Sequence, residues 1–196
     1  MAGTVKKKSS FINEVFADID AVFAVKGGFP NATGGAVDAS SLDIVEFPCE
    51  RGSFNYTGGD PTINHFKVHG LNADWAQTFT PGDGQVTLNV PSYGTDILAL
   101  VYGKTGSDLT VTLPTGVAEK ATFKGKSFSY EQKQVVLGLL ILNGTGDKAL
   151  YIKKVTFIAT PKMDNENNPL YITLTGSMNA TTDVDATAVL EAQAGA

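Results

Sequence analysis

QVVLGLLILNGTGDKALYIKKVTFIATP, residues 134–161, sets two apolar runs on either side of a short polar cluster of Asn, Gly, Thr and Asp. A helix over 131–142 is one way to bury the first run, but Gly138 and the β-branched Val135, Val136 and Ile141 disfavour it. Residues Asn143 to Asp147 have turn chemistry, and the run that follows is again rich in branched and aromatic side chains. The segment therefore reads as a long hairpin: an apolar strand, a turn and a returning strand.

The same texture spreads outward from this hairpin. From about residue 42, SLDIVEFPC alternates Leu42, Ile44 and Glu46 against Asp43, Val45 and Phe47. QVTLNV (85–90) alternates Val86, Leu88 and Val90 with polar residues, and DLTVTLP alternates Leu109, Val111 and Leu113. TDILALVYG (95–103) is a continuous apolar run that suits a strand buried on both faces. PLYITLTGSMN sets Leu170, Ile172 and Leu174 against Tyr171, Thr173 and Thr175. Strands this dense, separated by Gly, Asp and Pro turns, predict a mainly β chain: a sandwich or barrel with one or two flanking helices and extended loops. Residues 42–196 are expected to form that domain.

The first 41 residues read differently, as an N-terminal arm. In FINEVFADIDAVFAV (11–25), Phe11, Ile12, Val15, Phe16, Ile19, Val22 and Phe23 recur at helical spacing, with Asn13, Glu14, Asp18 and Asp20 mostly opposite. Ser10 is placed to cap this amphipathic helix, and Gly27-Gly28 to end it. FPNATGGAVDASS follows as a Gly-rich loop without periodicity. An apolar stripe beside such a loop has two uses, closing its own core or docking on a neighbouring subunit. Phe11, Phe16, Phe23, Phe29 and Trp75 are the candidate inter-subunit contacts.

Composition narrows the function classes. Charged residues make up 18% of the chain and hydrophobic ones 42%, which predicts a packed globule. The net charge of −5 and a pI near 4.9 give no general attraction for nucleic acid. A single cysteine, Cys49, excludes an intramolecular disulfide, and a small buried or half-buried thiol is the expectation there. The basic MAGTVKKKSS is followed by an apolar run broken by acids, unlike a signal peptide, so a cytoplasmic site of synthesis and folding is expected. No run approaches the ~20 apolar residues that span a bilayer, so no membrane partner is expected.

HFKVH (65–69) brings the only two histidines together. On a strand, four residues separate their Cβ atoms by about 13 Å, too far to share one zinc. A helix from Asp60 and Pro61 to Gly70 would place them on one face, but Phe66 stands where a zinc protease needs its Glu base. The strand reading is preferred, and no metal is expected. TPGDGQVT and NGTGDK lack the spacing of a phosphate loop, and KTGSDLT comes without a nucleophile elbow. KMDNENNP resembles a calcium loop only in composition. No catalytic residue, cofactor or metal ligand is assigned, and an enzyme is not expected.

GSFNYTGGDPTINHFKVHGLNADWAQTFTPGDGQVTLNVPS, the later KATFKGKSFS, the hairpin at 135–159 and the closing YITLTGSMNATTD together resemble the layout of tailed-bacteriophage major tail tube proteins. The likeness covers about residues 40–185 as pattern. It implies a structural virion subunit, assembled in the host cytoplasm, that forms hexameric rings stacked into a hollow tube. Its partners would be further copies of itself and other virion tail proteins, with duplex DNA passing through without specific binding. Loops such as 27–41 would bridge stacked rings, and Asp43, Glu46, Asp183 and Asp185 are candidate acids for the bore. The competing readings are a capsid decoration or head–tail joining protein, and a carbohydrate-binding β-sandwich using Trp75, Tyr93 and Tyr102 as a stacking platform.

Overall fold

The segment 134–161 does form a hairpin. In a computed structural model, which describes residues 16–70, 74–102, 106–117, 122–127, 134–162, 170–178 and 187–193, strands β9 (Gln134–Leu142) and β10 (Lys148–Lys162) pair antiparallel. The turn is held by Asn143, whose amide Nδ2 donates to Asp147 Oδ1 at 2.6 Å and to Thr145 Oγ1 at 2.8 Å. Its Oδ1 accepts the Lys148 N–H at 3.0 Å, so one buried side chain satisfies both arms of the turn. Phe11, Asp183, Asp185, Lys6 to Lys8 and most of KMDNENNP lie outside the described residues.

Around this hairpin the chain builds one eight-stranded sheet from β1 (Ala21–Lys26), β2 (Ile44–Phe47), β3 (Asn55–Thr57), β6 (Gln85–Val90), β11 (Tyr171–Met178) and β12 (Thr187–Glu191). Its order is β2-β1-β9-β10-β11-β6-β3, with β12 also on β10. The second edge of β10 is shared: Lys148–Ile152 pairs with β12 and Val155–Lys162 with β11. One face carries the core. Val22 and Ala24, Val86, Leu88 and Val90, Leu137, Leu139 and Ile141, and Ile172 and Leu174 are all fully buried on it. The fold is thus mainly β and sandwich-like with one flanking helix, as the alternation in these segments predicts.

β10 crosses the core with an irregularity. Leu150 and Ile152 point inward, and so do Val155, Phe157 and Ala159, so the buried positions switch from even to odd. A strand changes parity only by inserting a residue. The register slips between Ile152 and Val155, leaving Lys153 and Lys154 opposite the single Gly138. Lys153 is fully buried and Lys154 is exposed. The loop after β1 clips onto this bulge. Gly27 N–H donates to the Val136 carbonyl at 2.8 Å and Phe29 N–H to the Lys153 carbonyl at 3.0 Å. Phe29 then buries against Tyr151, ring centroids 4.9 Å apart, in a second small core on the outer face of the sheet. Glycine is required here: a Cβ on Gly138 would stand 2.6 Å from the Phe29 ring and 2.9 Å from the Lys153 carbonyl.

Two expectations are overturned. Residues 16–20 are irregular and Ala21–Lys26 is a strand, so the helix expected over 11–25 is absent across its described part. AVFAV has Val22 and Ala24 two apart, which serves a strand as well as a helix, and β1 wins because both its edges find partners, β2 and β9. Residues 21–26 are consequently an interior strand of the main sheet, and the arm does not extend to residue 41. Conversely, TDILALVYG is not a strand. Thr95–Val101 forms helix α1, burying Ile97, Leu98, Leu100 and Val101 on the main core, with Asp96 in its first turn where the helix dipole favours an acid.

Candidate assembly interface

Two hairpins stand apart from this sheet. Among the described residues β4 (Thr62–Lys67) pairs only with β5 (Asp74–Thr80), and β7 (Ser107–Thr112) only with β8 (Thr122–Ser127). Every residue of β4 and β7 is exposed, as are most of β5 and β8. A lone two-stranded ribbon is marginal in water, and the outer edges of these two find no strand partner among the described residues.

In the β7–β8 ribbon the register separates two faces cleanly. Asp108 opposes Lys126 and Thr110 opposes Lys124 on one, while Leu109 opposes Gly125 and Val111 opposes Phe123 on the other. Lys126 Nζ lies 2.6 Å from Asp108 Oδ1, an exposed ion pair that contributes little to stability. Leu109, Val111 and Phe123 are each about half exposed, and nothing lies within 4 Å of where a Cβ on Gly125 would stand. The apolar face therefore has a depression at its middle.

The β4–β5 ribbon has a matching face. Ile63 opposes Phe79 and His65 opposes Gln77, and the register slips between Phe66 and Lys67 so that Trp75 is the extra residue of a bulge. Trp75, 72% exposed, stands at this bulge, next to Asp74. The bulge is pinned from the side: His65 Nδ1 lies 2.6 Å from Asp74 Oδ2, and Gln77 Nε2 donates to the same oxygen at 3.1 Å. Hydrogen bonding from Gln77, then from His65, holds the Asp74 carboxyl below the usual carboxylate range. HFKVH is thus a strand as far as Lys67. His65 serves the ribbon, and His69 lies in the turn beyond. Among the described residues no group of three His, Cys, Asp or Glu is placed to hold a metal.

Of the candidate contacts read from sequence, Trp75 is on this surface. Phe16 packs half-buried on the main core, Phe23 is half-buried in β1, and Phe29 is buried in its own chain, so Phe29 is an internal anchor. Asp43 and Glu46 are exposed at and beside β2, the edge of the main sheet, and on neither ribbon. Tyr93 and Tyr102 pack on the main core beside α1, away from the Trp75 ribbon, and Tyr93 donates its hydroxyl to the Tyr171 carbonyl. The three rings read as a sugar platform are not brought onto one surface. The residues not singled out are Ile63, Phe79, Leu109, Val111, Phe123 and Gly125, although strict alternation in DLTVT and TFKGKS carried the signal.

One cavity of about 810 Å³ opens where the chain crosses from β2 to β3, with Phe47, Phe54, Asp20, Glu50 and Cys49 in its wall. Burial pushes the Cys49 thiol up, against a weaker contact with Ser53 Oγ at 3.6 Å. A thiol so placed stays protonated near neutrality, the opposite of an activated nucleophile. No protein-family model matches the chain, and no curated protein matches it.

Proposed function

We propose that this chain is a structural virion subunit that assembles into stacked rings, a tail tube through which phage DNA passes. The observation that carries the reading is the pair of detached ribbons with uncovered apolar faces and open edges. Soluble monomers rarely leave such surface to water, and ribbons from neighbouring copies would close one another's edges into a continuous β wall. The function is then mechanical. No substrate is transformed, and the partners are other copies and the virion proteins at the ends of the tube.

The ribbons' outer chemistry suits a bore. Once the Ile63–Phe79 and Leu109–Val111–Phe123 faces are covered, the opposite faces carry Thr62, Asn64, Phe66, Ala76, Thr78 and Thr80 on one ribbon and Thr110, Thr112, Lys124 and the Asp108–Lys126 pair on the other. These faces are rich in hydroxyl groups and hold two lysines against one acid, and the subunit as a whole is acidic, so duplex DNA finds few cations to hold it. Light scattering and negative-stain imaging across a concentration series test the reading. Rings or tubes are expected; a single-copy particle at every concentration would sink it.

A further inference from the structure

Resting on that assembly reading, we infer that the joint between copies is heterologous: strand β5 of one copy pairs beside β8 of the next, and the Trp75 indole covers Gly125. Three observations converge on this joint. Within one copy, β5 and β8 belong to separate sheets, and among the described residues each pairs along one edge. Gly125 leaves open space on an otherwise apolar face, with Leu109 opposite it and Phe123 two residues away. Trp75 is the most exposed large apolar side chain of the described residues and stands at the bulge of its own ribbon, where the edge of β5 projects. An aromatic ring laid across a glycine of the adjacent strand restores the packing that the glycine lacks.

Charge rules out one alternative. β8 carries Lys124 and Lys126 and no acid, so pairing β8 with its own copy would set lysines side by side. β5 carries no lysine or arginine, so it sets no cation beside them. Pairing β5 with β8 joins Ile63 and Phe79, with His65 and Gln77 between them, to Leu109, Val111 and Phe123 on one side and leaves the threonine-rich faces together on the other. A head-to-tail joint of this kind also generates rings when its rotation closes, whereas like-with-like pairing stops at a dimer.

The test uses full-length chains in a Cys49→Ser background, one carrying Trp75→Cys and the other Gly125→Cys, co-assembled and oxidised. A Cβ is tolerated at Gly125, since nothing crowds it. Interchain disulfide in the mixture, and little in either chain alone, is the expected result. Disulfide between two Trp75→Cys chains, or within a chain carrying both substitutions, overturns the joint. Because Trp75→Cys removes the ring, Gly125→Val in the otherwise native chain gives a second readout. Filling the depression is expected to raise the concentration needed for assembly at least about tenfold, with the thermal midpoint of the dilute protein unchanged. Unaltered assembly by Gly125→Val overturns the inference. The native chain run in parallel separates the two failures: if it assembles without the cross-link, the β5–β8 joint alone is wrong, and if it never assembles, the assembly reading falls and the joint with it.

Discussion

Gly138 shows how much one residue decides in this fold. In sequence it argues only against a helix; in the structure it is the gap through which Phe29 reaches the β10 bulge. Gly138→Val is expected to destabilise by about 1–3 kcal/mol through overpacking, and Phe29→Ala by about 3–5 kcal/mol through the cavity it leaves. Because both break one clip, their combined cost in urea unfolding should fall below the sum. Asp147 gives a pH signature. Hydrogen bonds from Thr145, then Asn143, hold its carboxyl below the ordinary value of 3.8. A depressed folded-state value means stabilisation that is complete above the unfolded pKa and is lost as pH falls through the folded one. Acid titration of stability should therefore steepen below about pH 4, and Asp147→Ala should flatten that limb.

At the scale of elements, legibility depended on whether periodicity was the deciding force. β6 and β11 alternate because one face is buried and the other is not, so each was readable from sequence, while β9 was readable from Gly138, its branched residues and the turn that follows. TDILALV was ambiguous because a continuous apolar run has no period and seven residues suit a strand; burial of Ile97, Leu98, Leu100 and Val101 against one core goes with the helix. FINEVFADIDAVFAV has apolar spacing that fits both periods, and only the edges of β2 and β9, remote in sequence, settle its second half as a strand. The parity switch in ALYIKKVTFIA was visible as a lysine doublet splitting even from odd apolar positions. Alternation also foretold β7, but not that its apolar face would stay half exposed among the described residues. That face makes a prediction at this scale. Val111→Lys and Phe79→Lys change half-exposed side chains, so the stability of the dilute protein should move by no more than about 0.5 kcal/mol. Assembly should nonetheless be lost in both, as scattered light at high concentration would show. Loss of stability equal to the loss of assembly would mean that the faces are covered within the chain.

For the whole molecule, the assembly reading links folding to concentration. Anything that binds only the native state stabilises it, by about 2.7 kcal/mol when the free partner stands a hundredfold above its dissociation constant. On that reading the partner is another copy, so the thermal midpoint should climb as protein is added. For a chain of 196 residues each kcal/mol shifts the midpoint by about 2–4 °C, which places the expected rise at roughly 5–10 °C over that range. The main sheet and its helix carry the monomer's core, while the ribbons contribute little to it. Val111→Lys should therefore match the native chain when both are dilute and fail to climb when both are concentrated. A native chain whose midpoint is flat across the series would show instead that the ribbons do not bind their own kind.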